Sequence, residues 1–179
     1  MNLPDLSNPI DGARNLLGWT LVHHLPEGDV GGIIIETEAY QQDDEASHSF
    51  RGLTKRTAPM FEAAGTLYMY FIYGMHWCMN IVTGPAGHGE AVLIRALKPT
   101  IGEGLMRSHR SSHDIKSLAN GPGKLVQALQ IPSNYSGKKL SQTKLELIPP
   151  SRPVENILTS PRIGIKKATD KPWRFYIEI

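Results

Sequence analysis

The sequence predicts an α+β fold: one domain over residues 1–179, with a curved, mainly antiparallel β-sheet, flanking helices and a protruding aromatic β-hairpin. Strand-like runs are joined by short turns, as in hairpins. Helical stretches stand apart from the strands, without the regular alternation of a doubly wound sheet. A chain of 179 residues is long enough to bury a real core yet short enough to need only one.

The elements follow in order. Asp11 precedes Gly12–Leu17, a short opening helix. Trp19–Leu25 and Val30–Tyr40 are strands, and Pro26-Glu27-Gly28-Asp29 between them has the composition of a turn. Gln41–Ala58 is a polar loop. Thr66–Tyr73 is an aromatic-rich strand, interrupted by Gly74 and resumed at Trp77–Val82. Ala91–Leu97 is an apolar strand closed by Pro99. Gly121-Pro122-Gly123 opens a helix at Lys124–Leu129, and strand patterns return at Arg162–Ile165 and Trp173–Ile179. Repeats and low-complexity stretches are absent from the sequence.

Bulk properties narrow the function classes. The single cysteine, Cys78, excludes an intramolecular disulfide and a multi-cysteine zinc site. The seven histidines are scattered and form no His-Glu-x-x-His or similar ligand set, so no metal and no cofactor are expected. The longest apolar stretches, such as Ile33–Ile35, are too short to span a bilayer, so no membrane partner is expected. Met1–Asp11 lack the basic start and apolar run of a signal peptide. A cytoplasmic monomer is expected, associated with the nucleoid if the cell is bacterial. Net charge is only +2, but residues 1–48 carry nine acids against Arg14 alone, whereas residues 49–179 carry eighteen bases against eight acids. This asymmetry fits a basic surface that grips a polyanion beside an acidic catalytic segment. A surface of mixed sign would also accommodate it.

Four segments carry chemistry. In Ile33–Tyr40, strand alternation puts Ile34, Glu36, Glu38 and Tyr40 on one face, with Ile33, Ile35, Thr37 and Ala39 on the core face. Two carboxylates beside an aromatic ring can stabilise a developing cation and take a proton from water; they can also be ordinary solvent-facing residues. Thr66–Tyr73 holds four aromatics, with Tyr68 and Tyr70 sharing a face. Tyr73, beside Gly74 at the hairpin tip, is poorly placed for a core and well placed to enter a base stack. Tyr70 could stack on an extruded base, or the strand could use tyrosine for bulk. Arg95 interrupts an apolar strand and needs a partner if buried: Glu36, Glu38 or a phosphate. Exposure at a sheet edge is the alternative. Asn120–Lys124 offers free amides at a helix start, which suit phosphate, though the stretch is no Walker loop.

Together these segments resemble the 3-methyladenine DNA glycosylase family of the alkyladenine (methylpurine) type. The resemblance rests on Glu36–Tyr40, Asp44–Ser49, Gly65–Met75, Cys78–Asn80, Ala91–Leu97, Gly121-Pro122 with Lys124-Leu125, and Arg174–Tyr176, in order over nearly the whole chain. It implies a base-excision-repair enzyme. Such an enzyme flips 3-methyladenine, 7-methylguanine or hypoxanthine out of double-stranded DNA and hydrolyses the N-glycosidic bond, leaving an abasic site. By resemblance, Glu38 is the catalytic base and Arg95 helps hold the flipped nucleotide and the water. Tyr40, His48 and Tyr70 wall the base pocket, and Asn80 lies at its floor. Tyr73 is the wedge, and Gly74, Met75, Arg56, Gly121 and Lys124 join it in binding DNA. Thr57 stands where the family usually has asparagine. A non-catalytic nucleic-acid-binding module is the alternative; it would leave the Glu38–Tyr40 face unexplained.

Overall fold

The computed structural model describes residues 3–72, 74–111 and 114–178. Its frame is an antiparallel sheet curled into a half-barrel. Strands β1 (Thr20–Leu25), β2 (Gly28–Tyr40), β3 (Leu67–Ile72), β4 (His76–Val82), β5 (Ala91–Ile101) and β6 (Leu145–Ile148) lie in the order β3-β4-β5-β2-β1-β6. The short β7 (Leu158–Ser160) pairs with β8 (Arg174–Tyr176). β1 pairs with β2 only as far as Ile33, and β8 takes up the same strand at Glu36–Glu38. The carboxylate-bearing end of β2 is therefore flanked by β5 and β8.

Helix α1 (Pro9–Asn15) packs on β2 and β5, α3 (Pro122–Ala128) on β4 and β5, and α2 (Glu103–Arg110) on α3 and β2. Their apolar faces meet Ile34, Ala39, Met69, Met79, Val92 and Ile94 in one core.

Several elements differ from the sequence reading, each for a local reason. Helix α1 begins before Asp11. Asn8 caps it, its Oδ1 accepting from the Ile10 and Asp11 amides at 3.0 and 2.9 Å, and Pro9 fills the first turn, where no N–H is needed. β5 does not close at Pro99 but continues to Ile101. Residues 162–165 form no strand; β7 lies just upstream instead. The last strand is shorter than Trp173–Ile179, spanning Arg174–Tyr176. Helix α2 and strand β6 were not predicted. Within α2 only Met106 is buried, and β6 is four residues long, so neither carries much periodic signal.

The most consequential difference lies in β2. Ile34 pairs with Leu97, Glu36 with Ala96 and Thr37 with Ile94. Ile35 is thus an extra residue on β2, and Arg95 an extra residue on β5. These back-to-back bulges break the simple alternation. Ile34, expected beside Glu36 and Glu38, instead joins Thr37 and Ala39 in the core, all fully buried. Past the bulge, Glu36, Glu38 and Tyr40 share the opposite face, as the spacing predicts.

Candidate active site

A cavity of about 690 Å³ opens on that face, within the range of small-molecule pockets. Glu38 and Tyr40 from β2, Tyr68, Tyr70 and Ile72 from β3, Cys78 and Asn80 from β4, and Leu93 and Arg95 from β5 line it. The loop after β2 adds Ser47 and His48, the start of α3 adds Gly121–Lys124, and residues 163–167 add a further wall.

Glu38 is fully buried, and each carboxylate oxygen has a donor. The Ile163 amide donates to Oε1 at 2.7 Å, and Arg95 Nη1 stands 3.3 Å from the same oxygen. The Tyr40 hydroxyl donates to Oε2 at 2.8 Å. These donors offset the cost of burying a negative charge. Arg95 is held in turn by Glu36, whose Oε1 accepts from Arg95 Nε at 2.9 Å and from Arg174 Nε at 2.5 Å. Of the partners considered for Arg95, both carboxylates are engaged. Burial opposes its charge, but Glu38 and then Glu36 outweigh that, and its pKa rises further above the ordinary value. The bulge explains this placement, because it turns Arg95 out of the apolar alternation and onto the carboxylate face.

The ring wall is built from the β3–β4 pairing. Tyr68 lies opposite Asn80 and Tyr70 opposite Cys78, so alternation sends all four to the cavity. The Tyr68 and Tyr70 rings stack at 5.8 Å between centroids, and His48 meets Tyr70 edge-on at 4.6 Å. His48 Nδ1 lies 2.9 Å from the Tyr68 hydroxyl. Asn80 Nδ2 donates to the Tyr68 carbonyl at 3.2 Å, which fixes the amide's orientation. Burial pushes the phenols of Tyr40 and Tyr70 well up, so both remain hydroxyls at neutral pH. Burial, and then the charge of Arg56, lower the His48 pKa to about 4, leaving a neutral imidazole.

The His48 loop is fastened from two sides. Gly89 donates to Gln42 Oε1 at 2.8 Å and accepts from the Ser49 hydroxyl at 2.5 Å. A Cβ at Gly89 would fall 2.6 Å from Ser49 Cβ, so glycine is needed for this approach. Thr57 is buried; its hydroxyl accepts from the Thr54 amide at 2.9 Å and donates to the Gly52 carbonyl at 3.1 Å.

The structure brings Glu38, Tyr40, His48, Tyr70, Asn80, Arg95, Gly121 and Lys124 around one cavity. Arg56 is exposed and lies outside the lining, with its charge felt at His48 and Tyr68. Gly74, with φ of +68°, and Met75, 68% exposed, lie in the turn between β3 and β4. Tyr73, assigned as the wedge, lies outside the described residues. Sequence reasoning did not single out Tyr68 as a site residue, although it shares the face of Tyr70. It also missed the 163–167 wall, which has no regular structure to betray it. Among the described residues, no three His, Cys, Asp or Glu are grouped to hold a metal ion, and no helix is long and apolar enough to cross a membrane.

A model of the methylpurine-DNA glycosylase (MPG) family matches residues 6–179. This chain belongs to the methylpurine-DNA glycosylase family. Membership makes it a DNA glycosylase and places it in DNA repair. A protein of Nitrosospira multiformis is 49% identical over 169 residues, covering 94% of this chain and 85% of its own length. One of Methanoculleus marisnigri is 49% identical over 170 residues, covering 93% and 88%. One of Carboxydothermus hydrogenoformans is 44% identical over 168 residues, covering 93% and 88%. All three are named, provisionally, as 3-methyladenine DNA glycosylases. The methylpurine-DNA glycosylase match spans every strand and helix that lines the cavity.

Proposed function

We propose that this glycosylase takes an alkylated or deaminated purine (3-methyladenine, 7-methylguanine or hypoxanthine) out of duplex DNA and hydrolyses its N-glycosidic bond. The observation that carries the reading is the Glu38 carboxylate, buried against a cavity walled by Tyr40, Tyr70 and His48.

Departure of the base leaves positive charge on the deoxyribose. The Glu38 carboxylate at the cavity wall stabilises that charge and takes a proton from the attacking water. Arg95 and the Tyr40 hydroxyl hold the carboxylate in one orientation. The electron-rich faces of Tyr40 and Tyr70 favour a cationic methylated base, and a neutral His48 adds no repulsion. Asn80, held at its place by the Tyr68 carbonyl, crowds the exocyclic amine of normal guanine. Tyr73 fills the gap in the duplex, and Gly74, Met75, Arg56, Gly121 and Lys124 meet the DNA around it. The protein works on DNA in the cytoplasm, as a monomer and without a cofactor. No lysine stands as a nucleophile in this scheme, so the product is an abasic site in an uncut strand.

Release of base from a 7-methylguanine or hypoxanthine duplex, from the same sequence as RNA, and from the free nucleoside tests the reading. Release is expected from the duplex, with strand cleavage appearing only after alkali. Equal turnover of the nucleoside, or binding of the duplex without base release, contradicts it.

A further inference from the structure

The 161–168 segment, whose residues 163–167 wall the cavity, has an unusual anchor. It contains no helix or strand, and Arg162 is its only buried residue. Ile163, next in sequence, is half exposed, yet its amide holds Glu38 Oε1 at 2.7 Å. Whatever fixes Arg162 therefore fixes the donor on the carboxylate.

Arg162 is gripped by five groups. Nη1 donates to the Ala39 carbonyl at 2.9 Å and forms an ion pair with Asp44, both side chains being fully buried. Nη2 donates to the Ala168 carbonyl at 3.4 Å, drawing the far end of the segment back on itself. The guanidinium lies over the Tyr40 ring at 4.6 Å and over the Trp173 ring at 5.2 Å. One side chain thus ties the segment to β2, to the loop that carries His48 and to the Tyr40 ring.

An ion pair this deeply buried is a poor source of stability, because apolar residues of the same volume do as well or better. What it supplies is geometry: the planar fork satisfies several acceptors in fixed directions while stacking on a ring, which a lysine cannot do.

We propose that Arg162, locked by Asp44, is a positioning residue that clamps the 161–168 segment over the site so that the Ile163 amide orients the Glu38 carboxylate. The proposal rests on the reading of Glu38 as the base. Arg162 touches neither base nor sugar; it acts through Glu38.

A mutant cycle tests this. Single-turnover release from a 7-methylguanine duplex, whose cationic base leaves readily, is measured for the parent, Arg162→Lys, Glu38→Gln and the double variant. Duplex affinity is measured alongside. Arg162→Lys is expected to slow release about 30-fold in the parent, with Kd for the duplex changed less than about threefold. In the Glu38→Gln background, the same change should slow release less than about threefold, because the group it acts through is gone. An equal loss in both backgrounds, a loss confined to Kd, or no loss overturns the proposal. If Arg162→Lys melts below the assay temperature, Asp44→Asn carries the same cycle with the same expectations. A Glu38→Gln variant as active as the parent overturns the reading of Glu38 itself, and this proposal with it. Activity lost in Glu38→Gln but indifferent to Arg162 and Asp44 overturns this proposal alone.

Discussion

At His48, a single ring shows how the cavity controls charge. The imidazole stands edge-on to Tyr70 and within 2.9 Å of the Tyr68 hydroxyl, with burial and Arg56 both opposing a proton. An unfolded chain protonates this histidine near its ordinary value of 6.5, and the folded protein only near 4. The neutral form is therefore favoured by folding. Its stabilising effect is complete above pH 6.5 and is lost as pH falls from there through 4. His48→Gln is expected to flatten the decline in melting temperature between pH 7 and pH 4.5 relative to the parent. Unchanged dependence on pH would show that His48 does not resist protonation. The same neutrality is what a cavity for cationic bases requires, since a charged imidazole would repel them.

At the level of elements, the paired bulges of β2 and β5 decide the site. A regular ladder would set Ile34 on the face of Glu36 and Glu38; the extra Ile35 returns it to the core. Sequence parity found the Glu36–Glu38–Tyr40 face because those residues lie beyond the bulge, and it misplaced Ile34 because one residue of slip inverts every side chain before it. The Tyr68–Tyr70 face and the isolated Arg95 were legible for the same reason: local alternation survives within a strand. The Ile163 amide and the Asp44–Arg162 pair were not, because they join segments more than a hundred residues apart through irregular chain. Helix α2 shows another kind of hidden constraint. It starts after Gly102, where φ is +66° and a Cβ would fall 2.1 Å from the Asp29 carbonyl. Gly102→Ala is expected to cost about 2 kcal/mol or more, read as a lowered denaturation midpoint. A neutral effect would mean that β5 and α2 can shift apart without penalty.

Across the whole molecule, a modest net charge hides a polarised layout. The acidic amino-terminal segment supplies the buried carboxylates Glu38 and Asp44 and the partly buried Glu36, which Arg95, Arg162 and Arg174 neutralise. Much of the remaining positive charge is left for the surface. Lys124, Lys166 and Lys167 line the cavity, and Lys167 pairs with an exposed Glu45 at 3.1 Å, a pairing that phosphate can displace. If these three lysines each neutralise one phosphate, duplex affinity falls about 40-fold between 50 and 200 mM salt. A titration at several salt concentrations measures the slope, and replacing any one of the three by alanine should reduce it by about one unit. An unaltered slope would move the DNA path elsewhere on the surface.

All of these scales converge on one carboxylate, buried by the sheet, oriented by two donors from distant segments and faced by rings. Single-turnover release of 7-methylguanine from duplex DNA by Glu38→Gln, set against the parent at equal duplex occupancy, addresses it most directly. The rate should fall by a factor on the order of 10² to 10⁴, with duplex affinity kept. A variant that released the base as fast as the parent would show that Glu38 does not direct the water.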